Sequence, residues 1–129
     1  MSELSIKKWG PAAWRFLHTI SFTYSNSPTE EEKKTMYYFL HFFSKVIPCT
    51  KCRTDFESYI NETLTLGSKH LNTKETLIAY INDSHNYVNR KIGKREYTLD
   101  ESKNKYLKIE DYTVQKYLIT LLIFIILII

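Results

Sequence analysis

Cys49 and Cys52 are the only two cysteines in a chain of 129 residues, and they stand two residues apart directly behind Pro48. A Cys-x-x-Cys pair that opens a helix is a redox arrangement. The N-terminal end of a helix favours negative charge, which lowers a thiol's pKa and makes it reactive. Zinc is the first competing use, because the same spacing is half of many zinc sites. A structural zinc would need two more ligands from His18, His41, His70 and His85, and no two of these have the close spacing of zinc-finger histidines. A thioredoxin-like centre is the second, but its motif follows a strand in a βαβ pattern, and no such pattern exists here. Two inert buried cysteines are the plainest reading, and an exposed helix start argues against it. A disulfide framework for folding would need more cysteines.

A redox pair must pass its electrons on. With no third cysteine, the acceptor is another protein or a bound cofactor. The glycines stand at 10, 67 and 93, so the G-x-G-x-x-G loop of the dinucleotide-binding fold cannot be assembled. A flavin would have to be held by helices.

The elements that must position these groups read as helices throughout. Gly10-Pro11 opens the first, with Pro where a missing N–H costs nothing, and it runs through Trp14, Leu17, His18 and Ile20 toward Tyr24. Ser27-Pro28-Thr29-Glu30 reads as a capping box. The helix behind it carries Met36, Phe39, Leu40, Phe43, Val46 and Ile47 at helical spacing, and Pro48 stops it. Cys49 begins a third helix with Phe56, Tyr59 and Ile60. Asn72-Thr73-Lys74-Glu75 is a second capping box. It starts a helix with Leu77, Ile78, Ile81, His85, Val88 and Ile92 on one stripe, and Gly93 stands where a left-handed cap belongs. A short fifth helix is expected over 101–109. No segment alternates strictly enough for a strand, so the fold class is all-α: a four-helix bundle, a short fifth helix and a C-terminal transmembrane helix. Residues 1–110 form the catalytic domain and 111–129 the anchor.

Composition agrees. Aromatics make up 15% of the residues, while Gly and Pro number three each, too few for a many-stranded β fold. The net charge of +4 fits an anionic membrane face or a phosphate-bearing cofactor. Fourteen lysines against four arginines speak against a base-reading surface, so no nucleic acid is expected. The N-terminus has no apolar core of a signal peptide.

Three segments now carry a resemblance: Trp9-Gly10-Pro11-Ala12-Ala13-Trp14-Arg15-Phe16-Leu17-His18, then Pro48-Cys49-Thr50-Lys51-Cys52, then the ten residues from His85 to Lys94. In this order they resemble the Erv/ALR family of FAD-linked sulfhydryl oxidases. The resemblance spans Lys8 to Tyr106 and implies a helical bundle that holds FAD beside the cysteine pair. It implies that Cys49 and Cys52 are catalytic, and that Trp14 and His18 pack on the flavin and its adenosine part. His85, Asn86, Val88 and Asn89 would line the adenine and ribose pocket, and Lys91 and Lys94 would lie near the phosphates. Lys8 just before the first segment, Gly10 within it, and Tyr106 where relatives usually have Trp, complete the expected cofactor set; no metal is implied. The residues agree, since Trp14 and His18, like His85 and Asn89, are i,i+4 neighbours on one helix face. A lone His or Trp on such a face is more often simply core, and the two lysines could be solvated surface.

There are departures. Many relatives carry a structural disulfide around the third segment, where Asn82 and Leu99 stand here, and a second Cys-x-x-Cys on a flexible tail. Short viral members lack both, which points to a viral origin. By the resemblance, a substrate thiolate attacks Cys49, Cys52 passes two electrons to the flavin, and molecular oxygen becomes hydrogen peroxide. Protein thiols are the substrates, reached through a thioredoxin-like relay protein, and a homodimer packed through the first two helices is possible. The alternative is a zinc-stabilised or scaffold-type, membrane-anchored helical module without catalysis.

The tail from Tyr117 to Ile129 carries no charge. From Val114 onward a helix would span about 24 Å, short for an apolar bilayer core of about 30 Å. Lys103, Lys105, Lys108 and Lys116 precede it, and by the positive-inside tendency they keep the catalytic domain cytosolic. The expected location is a membrane, of the host or of a virion; a buried apolar helix is the competing reading.

Overall fold

In a computed structural model, residues 5–128 are described, the side chains of 108–115 and 128 excepted. The elements run α1 (Ile6–Thr23), α2 (Glu30–Lys45), α3 (Thr50–Thr63), a 3-10 turn (Lys69–Leu71), α4 (Lys74–Lys91) and α5 (Leu99–Ile128). There is no strand among the described residues, so the expected all-α class holds. The chain divides into a first unit, Met1–Glu96, and a second, Tyr97–Ile129.

In the first unit α1 packs on α4 and α2 on α3. Leu17, Leu40, Phe56, Ile60, Leu64, Leu71, Leu77, Tyr80 and Ile81 are buried to 3% exposure or less and form one apolar cluster. Each such side chain contributes about 1.5–3 kcal/mol by leaving water. Tyr24, just past α1, is buried and donates its hydroxyl to the Leu71 carbonyl at 3.0 Å, which ties the end of α1 to the 3-10 turn.

Helix boundaries differ from expectation in ways that local chemistry explains. The chain enters α1 at Ile6, so Pro11 lies inside the helix rather than at its start. Its exposed ring forfeits one backbone bond there. The first capping box is Thr29 with Glu32, not Ser27 with Glu30: the Thr29 N–H donates to Glu32 Oε2 at 2.7 Å and Glu32 N–H to Thr29 Oγ1 at 3.2 Å. The second is Thr73 with Thr76, not Asn72 with Glu75. α2 ends at Lys45, before Pro48 could stop it, and this leaves Val46 71% exposed despite its place in the apolar stripe. Ile92 likewise falls past the end of α4 and is exposed. Gly93 has φ +69° and sits at the left-handed position expected of it. The Gly93 N–H donates to the Arg90 carbonyl at 3.2 Å and the Lys94 N–H to the Asn89 carbonyl at 2.8 Å, a paired closure of the helix end.

The short fifth helix and separate tail are in fact one helix of 30 residues. Nothing between 109 and 114 breaks it, since Glu110-Asp111-Tyr112-Thr113 includes neither Gly nor Pro. Tyr117 to Leu127 are exposed along it. Among the described residues no helix is long and apolar enough to cross a membrane, so the expected transmembrane helix is not found there.

The His70 ring stacks on Tyr80 at 4.6 Å. Burial first, and Lys69 second, hold its pKa below the ordinary 6.5. The unfolded chain therefore takes up this proton more readily than the folded one. The stability contributed by the neutral ring is complete above the ordinary value and is lost as pH falls from there toward the lower folded value. Between about pH 8 and about pH 5, the thermal midpoint should fall less in His70→Gln than in the wild type. Identical pH slopes would contradict the assignment.

Candidate active site

The Cys49–Cys52 pair is joined as a disulfide with Cα atoms 5.2 Å apart. Cys49 occupies the N-cap of α3, and the Cys52 N–H donates to Cys49 Sγ at 3.2 Å. The cap role normally played by a Ser or Asp oxygen thus falls to a sulfur. Pro48 disfavours a helical conformation at Ile47, and Ile47 is buried, so the approach to the pair is anchored on one side by packing and on the other by the helix. Both cysteines are half-buried. Cys52 packs against the apolar cluster; Cys49 is not among the residues that do.

One turn on from Cys52, on the same face of α3, Phe56 meets Trp14 of α1 edge to face at 5.8 Å. Trp14 in turn stacks on His85 of α4 at 4.1 Å and 10°. His85 Nδ1 and His18 Nε2 share a hydrogen bond of 3.2 Å, so one ring nitrogen carries the proton and the other accepts it. His18 is 1% and His85 7% exposed. One helical turn after the disulfide, Phe56 thus meets an aromatic and imidazole cluster between α1 and α4, in which Trp14 and His85 are nearly parallel and His18 is tilted to them by 52° and 53°. Sequence reading placed Phe56 only in the apolar stripe; its i+4 spacing from Cys52 was the available signal.

The same face of α4 buries Asn82, Asn86 and Asn89, and Val88 packs against the core at its side. Burying so many amides and imidazoles is costly unless they are hydrogen-bonded. The Asn89 side-chain Nδ2 is buried with no hydrogen-bond partner in the structure. A polar ligand between α1 and α4 would meet that need, and a flat heteroaromatic one would match the Trp14–His85 stack. The residues present fit FAD on these grounds. Gly10 is buried in α1, where an added Cβ would meet only Ile6 Cγ1 at 3.4 Å, so the chain's own packing does not demand a glycine.

Not every expected residue joins this cluster. Lys8, Lys91 and Lys94 are exposed, and Lys91 Nζ lies 5.5 Å from the centre of the Tyr87 ring. Tyr106 lies on α5 in the second unit, with Lys105 Nζ 5.5 Å from its ring centre.

The profile of the Erv1 / Alr family matches residues 11–107. A probable FAD-linked sulfhydryl oxidase of Acanthamoeba polyphaga mimivirus is 34% identical over 99 residues, covering 77% of this chain and 68% of that protein. The mitochondrial FAD-linked sulfhydryl oxidase ERV1 of Saccharomyces cerevisiae is 33% identical over 92 residues, covering 71% of this chain. The chain thus spans about half of that relative's length, 47%. Among solved structures, the yeast Erv1 core superposes with a TM-score of 0.72 at 28% identity, covering 82% of this chain and 86% of that one.

Replacing Asn89 with Leu removes the unpartnered amide nitrogen while keeping a similar volume, so the flavin-free fold should be about as stable as wild type or slightly more so. FAD retention should weaken roughly tenfold with the lost hydrogen bond. Calorimetric melting and FAD titration check the two halves separately. Undiminished FAD affinity would remove Asn89 from the pocket.

Proposed function

Because the chain belongs to the Erv1 / Alr family, we propose that it is an FAD-linked sulfhydryl oxidase that joins protein thiols into disulfides. The observation that carries this reading is the disulfide at the start of α3, one helical turn before Phe56, which meets the Trp14–His85–His18 cluster.

A substrate thiolate attacks Cys49 Sγ, forming a mixed disulfide. The Cys49–Cys52 bond breaks, and its electron pair leaves on Cys52 as a thiolate. Cys49 suits the attacked role because it caps the helix, while Cys52 faces the core. The released thiolate lies in the first turn of α3, where the backbone dipoles favour negative charge. The second substrate thiolate then attacks the substrate sulfur of the mixed disulfide. This frees the oxidised product and leaves the pair reduced by two electrons. Bound FAD would supply the two-electron acceptor for the reduced pair, with oxygen as the final oxidant and hydrogen peroxide as the product. Trp14, His18, His85, Asn86, Val88 and Asn89 are the residues that would hold it. Gly10 would permit its close approach, and Lys8, Lys91, Lys94 and Tyr106 would complete the site.

Cys49 and Cys52 are the only cysteines present, which supports a thioredoxin-like relay protein between this centre and folded clients. Phe16, Tyr38 and Phe42 on α1 and α2 are at least half exposed, which supports a homodimer through those helices. The exposed apolar side chains from Tyr117 to Leu127 support attachment to a membrane, with the catalytic unit on the cytosolic side. Similarity to a mimivirus protein supports a viral source, with a host or virion membrane as the location.

Cys52→Ser should keep the yellow flavin colour and lose dithiol-dependent oxygen consumption; full turnover in that variant would sink the mechanism. In detergent phase separation the full chain should enter the detergent phase, and recovery in the aqueous phase would exclude the attachment.

A further inference from the structure

Beside the disulfide, a small cleft opens between α1 and the end of α2, lined by Trp9, Ala13, Phe43, Val46, Ile47 and Pro48, with a volume of about 190 Å³. Small-molecule and cofactor sites start at about 300 Å³, so this one suits a single side chain. Its lining residues are all apolar, yet Val46 on its rim is 71% exposed. Pro48 is covalently adjacent to Cys49, so wall and sulfur-bearing residue have Cα atoms about 3.8 Å apart. An extended peptide advances about 3.3 Å per residue, and a side chain one or two residues from an attacking cysteine can reach the cleft.

The sequence around the cysteines is predominantly basic. Residues 45–53 include Lys45, Lys51 and Arg53 and no acid, and Lys8, beside Trp9 on α1, is exposed. Glu57, on the next turn of α3, offsets Lys45 at 3.8 Å, and Asp55 stands four residues after Lys51; with Lys8 counted, four bases face two acids.

We propose that this cleft is the specificity subsite for the thiol substrate: it seats a bulky apolar side chain next to the reacting cysteine of an acidic segment. The inference rests on the oxidase reading for its chemistry and goes beyond it in naming the substrate's flanking sequence. Seating that residue holds the substrate sulfur at Cys49, while the lysines attract the segment and favour its thiolate form.

The test uses short reduced Cys-x-x-Cys peptides flanked by Leu or by Ser, in acidic and basic versions, with the flavin-loaded full chain. Oxygen consumption should give kcat/KM about tenfold higher for Leu over Ser, and higher for acidic over basic. Ala13→Leu, which fills the cleft, and Val46→Ser, which opens its exposed rim, should each erase most of the Leu preference. Both should leave turnover of dithiothreitol at the wild-type rate. Equal kcat/KM for the Leu and Ser peptides overturns the proposal. So do variants that slow dithiothreitol as much as peptide, and so does a wild-type dimer that Val46→Ser dissociates while the peptide preference persists. Failure of the oxidase reading would appear differently, as no dithiothreitol turnover by the wild type. In that event, calorimetry of the acidic Leu and Ser peptides, with Ser in place of Cys, on flavin-free protein still decides the cleft. Equal affinities there would overturn it.

Discussion

The contact on which the site depends is the one between Trp14 and His18 of α1 and His85 of α4. A stacked indole, an imidazole and a shared hydrogen bond join two helices at a place where an ordinary core would put aliphatic side chains. A buried imidazole without a partner costs free energy comparable to a lost hydrogen bond. The two histidines satisfy one another at a single pair of nitrogens, and this sets both the separation and the rotation of α1 on α4. Leu17, beside His18, and Ile81, one turn before His85, then complete the packing from the apolar side.

With that pair of helices set, the α2–α3 pair has one task, to bring a disulfide to the cluster. Ile47 and Phe56 are buried on either side of the cysteines, so the segment between them cannot slide without opening the core. The Cys-x-x-Cys is held at a helix start, where the backbone is locally electropositive, and one side chain away from the aromatic stack. Chemistry and packing use neighbouring residues here: Phe56, four positions after Cys52, is a core residue that meets Trp14 edge to face.

The polar face of α4 shows what kind of fold this is. Asn82, Asn86 and Asn89 are buried in a helix although Asn is a mediocre helix former that prefers caps and turns. A sequence optimised only for stability would place aliphatic residues there. Their burial, with the Asn89 amide nitrogen lacking a protein partner, is the signature of a surface that is complete only with a ligand against it.

Much of this was legible in the sequence for reasons that are local. Apolar spacing of 3.6 residues revealed α2, α3 and α4. The Cys-x-x-Cys behind a proline revealed the redox centre, and a glycine at position 93 revealed the end of α4, because the left-handed conformation found there is costly for other residues. Helix ends were less legible, since Ser27, Thr29, Asn72 and Thr73 are all competent caps and only the side chain three residues later, in its folded position, selects between them. The merging of the fifth helix with the tail was missed because a polar stretch without Gly or Pro looks like a linker yet continues a helix at little cost. What tertiary structure alone decided was proximity. That His18 pairs with His85, sixty-seven residues on, and that Phe56 meets Trp14, forty-two residues before it, depends on how the helices pack. No local propensity encodes a contact between side chains so far apart in the chain.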